Sequence, residues 1–241
     1  FRIHFTSPFE LEDLLIPNQY DWRIRNDEIS YNSSFSLPVY IDSSHYPEAD
    51  RAFQRKMTEK MFSKDYKQIH VYTNMYFADD EFGPLFNQLF KPAPALQAWI
   101  DENLSKLGDN YISLSFRFQN LFGDFPDGTT VYSPEEQKEL LDKCIAKIQS
   151  LHEAHPEANK VLITADSECF LKQISKLDFV YVLPGKVGHM DHRSEQDINV
   201  HMKTFLDSRK IYLLVTGKMY KSGFAKRAAK LQGVPFAEVD F

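Results

Sequence analysis

The stretch KVLITADSECFLKQISKLDFVYVL, residues 160 to 183, reads as a strand, a helix and a second strand. Val161 to Ala165 is a short apolar run that stops at Asp166. Ser167 then supplies a helix cap, and the helix through about Leu177 leads to a second apolar run, Phe179 to Leu183. Apolar runs of this length joined by a helix are the pattern of parallel strands buried on both faces. Outward from this unit the alternation continues. Tyr111 to Phe118, Ile211 to Thr216 and Pro235 to Phe241 are further strand candidates. Ser133, Pro134 and Glu136 form a capping box with proline at the first helical position. Leu140, Leu141, Cys144, Ile145, Ile148 and Leu151 then mark one helical face. Ser194 caps a helix to about Asp207, and Ser222 one to about Leu231. The fold class expected beyond residue 110 is α/β, a parallel sheet flanked by helices.

The first third is less regular. Prolines 8, 17, 38 and 47 interrupt it, and residues 1 to 45 read as loops with short elements. A helix is expected over 47 to 62, a strand over Gln68 to Asn74, and helices over Glu81 to Phe90 and Leu96 to Leu107. KPAPA, residues 91 to 95, holds two prolines that a helix interior rejects, so it is the expected boundary between segments 1–95 and 96–241.

The 241 residues carry 34 acidic against 28 basic side chains, a net charge of -6. That balance argues against a broad nucleic-acid-binding face. No apolar run is long enough for a membrane span, which leaves peripheral membrane contact open. Cys144 and Cys169 sit among apolar helix positions and are expected to be core thiols in a reducing, cytoplasmic compartment. The opening FRIHFTSPFELEDLL has no initiator methionine and reads as starting inside a longer protein.

Three places could carry chemistry. In YISLSFRF, Ser113, Ser115 and Arg117 share one face of the strand. Arg117 is expected at the strand's C-terminal end, where open α/β sheets bind ligands, with its guanidinium offered to phosphate oxygens. The plain alternative is a half-exposed strand with its polar face in water. Asp166, at the end of its strand, is aimed at the same crevice and suits ribose hydroxyls or a guanine edge; the alternative is a helix cap. Ser222 and Gly223 stand at a helix N-terminus, where free N–H groups suit an anion, although many Ser-Gly pairs there are simple caps. GHMDH, residues 188 to 192, matches no spaced metal-ligand pattern. His189 is read as a loop histidine bonding a ligand or backbone, and no metal is expected.

The order strand-Arg, strand-Asp-Ser, strand-turn-Ser-x-Phe resembles the fucosyltransferase superfamily, the α-1,2-, α-1,6- and protein O-fucosyltransferases. SFRFQNLFGDF is similar to the family's His-x-Arg-x-Gly-Asp-like element. Ser115 stands where histidine is usual, and Gly123-Asp124 come late. TADSE is similar to its Thr-Asp-Ser element, and YKSGF to its Ser-Ser-Phe element. HVYTNMYFADDEFGPLFNQLFKPAPALQAWI, residues 70 to 100, resembles the passage between lobes in bacterial α-1,2-type enzymes.

The resemblance implies a GT-B fold of two Rossmann-like lobes, acceptor-side in 1–95 and donor-side in 96–241, in a bacterial member lacking its N-terminus. It implies inverting transfer of fucose or a related sugar from a GDP-sugar to a glycan acceptor in glycan biosynthesis, without a metal or other cofactor. Arg117 would be the catalytic residue. Ser115, Asp124, Asp166, Ser167, His189, Ser222, Gly223 and Phe224 would bind the nucleotide-sugar. Glu12, Asp13 and Asp124 are put forward as base only by position. The rival reading is a degenerate transferase retained as a nucleotide- or glycan-binding scaffold, favoured by Ser115. Arg117 is expected to be a ligand group rather than a structural one.

Overall fold

A computed structural model describes residues 1–6, 10–41, 51–73, 81–125, 127–185, 187 and 210–241. The chain divides into two compact units: Phe1–His4 with Tyr20–Phe82, and Phe5–Gln19 with Gly83–Phe241.

The second unit is built on five parallel strands, β5 (Tyr111–Phe116), β6 (Lys160–Thr164), β7 (Val180–Val182), β8 (Ile211–Val215) and β9 (Phe236–Asp240), in the order β7-β6-β5-β8-β9. Every residue of β5 and β8 is buried. Strands covered on both faces must be apolar on both, and that is why their sequences run as near-continuous hydrophobic stretches. Ser113 and Ser115 are buried too, at 0% and 5% exposure, so the polar positions of β5 do not meet water.

Helices α5 (Pro134–Glu153), α6 (Glu168–Ile174) and α7 (Phe224–Gln232) lie between successive strands in the chain. The α5 start is the capping box read from sequence: Glu136 N–H donates to Ser133 Oγ (3.3 Å) and Ser133 N–H to Glu136 Oε2 (2.8 Å). Leu140, Cys144 and Ile148 form its buried face. Of the buried residues of α7, Ala225, Ala228, Ala229 and Leu231, three are alanines, which lets its backbone approach its neighbours closely.

The chain leaves β5 toward β6 and β7 on one side, then returns to place β8 and β9 on the other. The strand order therefore reverses between β5 and β8. In open α/β sheets the crevice outside the carboxyl ends of two such strands, where the connections diverge, is where ligands bind.

Two further strands, β1 (Leu15–Pro17) and β4 (Phe90–Pro92), pair antiparallel in this unit. The KPAPA segment, expected as a boundary, lies within it: Pro92 ends β4 and Pro94 takes the first position of α4 (Pro94–Leu107). Proline is tolerated at that position because the N–H it lacks would have no helical partner.

The first unit contains the parallel pair β2 (Ser36–Ile41) and β3 (Gln68–Thr73), with α2 (Arg51–Phe62) between them in sequence. Trp22 and Met61 are buried here. β2 was not anticipated, because Pro38 breaks its pattern. A two-stranded pair consists of edges, where a proline has no ladder bond to lose on its outer side. The helix expected over 194 to 207 lies outside the described residues.

Helix α3 (Phe82–Leu89) meets α7 at Gly83. A Cβ on Gly83 would stand 2.1 Å from the Lys230 carbonyl oxygen, a backbone atom that cannot swing aside. Asn87 Nδ2 donates to the Leu231 carbonyl (2.8 Å) in the same seam. Gly83→Ala should therefore destabilise the protein by about 1–3 kcal/mol through overpacking, seen as a lower urea midpoint. An unchanged midpoint would show that the two helices do not pack this closely.

Candidate functional site

Past Phe116 the chain must turn at the C-terminal edge of the sheet, and Asp166 holds that turn. Its carboxylate accepts from the Phe118 N–H through one oxygen (2.7 Å), and through the other from the Gln119 N–H (2.7 Å) and Arg117 Nη1 (3.2 Å). Gln119 is left-handed, with φ 55°. That conformation costs a non-glycine residue about 1–2 kcal/mol, and a carboxylate bridging two successive N–H groups offsets it. Asp166 is only 5% exposed. Burial raises its pKa above the ordinary carboxylate range, opposed by the Phe118 N–H, Arg117 and the Gln119 N–H.

Asp166 was expected to reach a nucleoside. Both of its oxygens are instead engaged inside the protein, because the turn after β5 has two backbone donors and a guanidinium to satisfy. Arg117 was expected to be a ligand group and not a structural one; the structure gives it a structural role, as the partner of this buried carboxylate. The guanidinium also contacts Asp127 through Nη2 and lies over the Phe125 ring, 5.0 Å from its centroid.

Asp124 and Ser167 meet below this turn. Ser167 Oγ donates to Asp124 Oδ2 (2.9 Å) and accepts from the Phe170 N–H (3.1 Å), while the Cys169 N–H also donates to Asp124 Oδ2 (2.8 Å). Ser167 caps α6 as read from sequence, and Asp124 joins it there, which the sequence did not suggest. Ser167 is fully buried, so its hydroxyl supports the crevice from beneath. Cys144 is buried as expected, and burial pushes its thiol pKa far up. Cys169 is exposed, contrary to expectation: in so short a helix it falls in the first turn, outside the Phe170 and Ile174 face.

The third element follows β8. The Tyr220 N–H donates to the Arg117 carbonyl (3.0 Å), tying this loop to the end of β5 across the point where the strand order reverses. Ser222 Oγ accepts from the Phe224 N–H (3.2 Å), and Gly223 is the cap residue of α7. Gly223 and Phe224 are exposed and Ser222 half-buried. Residues 216 to 232 hold Lys218, Lys221, Lys226, Arg227 and Lys230 and no acidic residue, in a chain of net charge -6. Lys221 pairs with Glu238. A helix N-terminus among so many cations is a favourable surroundings for an anion.

The structure thus gathers Arg117, Ser115, Asp124, Asp166, Ser167, Ser222, Gly223 and Phe224 on the loops and strand ends at one edge of one sheet. His189 lies outside the described residues. Among the described residues no group of three His, Cys, Asp or Glu side chains is placed to hold a metal ion, and no helix is long and apolar enough to cross a membrane. Two participants were not anticipated, Gln119 and Asp127. The Asp127-Gly128 dipeptide is a turn signal that could have drawn attention to the second.

Comparison with solved structures shows the same fold in fucosyltransferases. The Bradyrhizobium fucosyltransferase NodZ matches with a TM-score of 0.58 at 16% identity, over 96% of this chain and 78% of that one. NodZ α-1,6-fucosyltransferase soaked with GDP-fucose matches with a TM-score of 0.56, also at 16% identity, over 95% of this chain and 77% of that one. An Arabidopsis thaliana FUT1 variant in complex with GDP gives 0.55 at 12% identity, over 95% of this chain and 61% of that one. The α/β, GT-B-like fold expected from sequence is the fold shared with these structures. No protein-family model matches the chain, and no curated protein matches it in sequence.

Asp166→Asn would turn an amide N–H2 toward backbone donors or leave one of them unpaired. It should cost about 2–4 kcal/mol of stability, measured by urea denaturation. A loss below about 0.5 kcal/mol would show that Asp166 does not hold the turn.

Proposed function

We propose that the protein is a glycosyltransferase that transfers fucose or a related sugar from a GDP-sugar to a glycan acceptor, inverting the anomeric centre without a metal. One observation carries the reading: a guanidinium is fixed at the crevice where the strand order reverses, beside a cationic helix N-terminus. The fold shared with fucosyltransferases, one of them soaked with GDP-fucose and one in complex with GDP, supports the choice of donor. In this reading the unit formed by Phe5–Gln19 and Gly83–Phe241 carries the donor site, and the unit formed by Phe1–His4 and Tyr20–Phe82 belongs to the acceptor side.

In such a transfer the bond from the anomeric carbon to the diphosphate breaks as the acceptor oxygen bonds to the opposite face of the sugar. The leaving electron pair stays on the diphosphate, and the acceptor hydroxyl loses its proton. Stabilising that developing charge can supply the larger share of catalysis. Arg117 is assigned to it, and the α7 N-terminus at Ser222, Gly223 and Phe224 to the distal phosphate. Asp166 is a positioning residue that orients the guanidinium. Asp124 Oδ2 is committed to Ser167 and Cys169, while Oδ1 is buried and has no hydrogen-bond partner among the described residues, so Asp124 stays a candidate base by position. Glu12 and Asp13 are exposed and stay candidates by position alone.

A second reading, a binding protein that has lost turnover, is favoured by Ser115. This residue replaces the histidine usual in the family, and at 5% exposure its short side chain offers the crevice little in its place.

Calorimetric titration with GDP, UDP and CDP is expected to show selective GDP binding. Arg117→Ala should weaken it by about 1.5–3 kcal/mol, with lysine restoring only part because it lacks the planar fork. Indifference among the three nucleotides, or no binding, would sink the proposal. Release of GDP from GDP-fucose separates the transferase from the scaffold.

A further inference from the structure

The two edges of the Arg117 guanidinium are held unequally. Nη1 faces Asp166, whose side chain is 6% exposed and is fixed by two backbone N–H groups. Nη2 faces Asp127, whose side chain is 35% exposed. Asp127 belongs to a loop closed at its base by the Tyr132 N–H donating to the Leu121 carbonyl (3.0 Å). The Gln137 amide braces that base, donating to the carbonyls of Tyr132 (3.0 Å) and Leu121 (3.3 Å).

Toward the tip the Asp127 N–H donates to the Phe125 carbonyl (2.8 Å), Asn120 Nδ2 reaches the Gly128 carbonyl at 3.3 Å, and a Cβ on Gly128 would meet the Gln119 side chain at 3.6 Å. Gly123 and Gly128 both have positive φ, 74° and 96°, so the loop bends back over the end of β5 and carries Asp127 to Arg117. Arg117 therefore already has an anion on its outer edge, and that anion is the chain's own carboxylate.

We infer that Asp127 is an internal competitor for the donor's phosphates: its carboxylate holds the outer edge of Arg117 until a nucleoside diphosphate displaces it. The inference rests on the assignment of Arg117 to the donor diphosphate. A guanidinium edge engaged by a carboxylate cannot at the same time make the two-pronged contact that holds a phosphate. Displacement returns Asp127 to solvent, which a half-exposed side chain on a loop can reach, whereas displacing Asp166 would strand two backbone donors. The same pair keeps the guanidinium extended and oriented before the donor arrives. Apparent affinity is then the intrinsic affinity reduced by the fraction of protein in which the pair is closed.

Calorimetric titration of the full chain with GDP and with guanosine tests this in wild type, Asp127→Asn and Asp127→Ala. The GDP dissociation constant should fall about three- to tenfold in both variants, the range expected when a partly exposed ion pair no longer competes. Guanosine, which has no phosphate, should bind all three proteins alike. Equal or weaker GDP binding in both variants, beside a wild type that binds GDP, overturns the inference and leaves the donor assignment standing. A matching gain for guanosine overturns it too, since the effect would not pass through phosphate. If neither wild type nor variants bind GDP, this inference and the donor assignment fall together.

Discussion

Everything at the crevice depends on one buried carboxylate. Asp166 ends β6, and by accepting from the Phe118 and Gln119 N–H groups it fixes how the chain turns away from β5. A carboxylate so deeply buried is tolerable only with several good donors, and the turn has them to give. The result is a left-handed residue held without glycine and an arginine whose outward reach is set by its neighbour. Electrostatic catalysis needs charge that is already oriented before reaction, and this is one way for a fold to supply it.

Topology puts that arginine where it can be used. Because β8 returns to the side of β5 opposite β6, the loop carrying Ser222 and Gly223 arrives next to Arg117, and the Tyr220 N–H closes the gap at 3.0 Å. Beneath the turn, Phe116, Phe118, Phe122 and Phe170 pack with ring centroids 4.7 to 6.1 Å apart. An apolar floor of this kind resists the small displacements that loosen a polar site. Arg117 is therefore held on one edge by a buried carboxylate and on the other by a partly exposed one.

Much of this was legible in the sequence. The five strands of the sheet were expected within about two residues at each end, because doubly buried strands and capped helices leave strong local signals. The Ser133 and Ser167 caps were read correctly for the same reason. β2 was missed because Pro38 obscured it. Cys169 was misjudged because the buried face of α6 is set by Phe170 and Ile174, and Cys169, one position before Phe170, points off that face. At the site, the sequence identified residue types at strand ends but not which carboxylate would face inward. Asp124, Asp127 and Asp166 look alike in sequence; their partners come from two segments, 117–119 and 167–169, and are decided only in the fold. The two glycines that return Asp127 to Arg117 are read as ordinary turn residues until the loop is seen closed.

The central claim is that Asp166 presents Arg117 to a donor diphosphate at the junction of β5 and β8. A crystal structure of the GDP complex tests it most directly. The account predicts phosphate oxygens within hydrogen-bond distance of Arg117 Nη2, with the Asp166 bonds to Phe118, Gln119 and Arg117 kept. A complex in which GDP lies elsewhere, or in which Arg117 leaves Asp166 to reach it, would contradict the account.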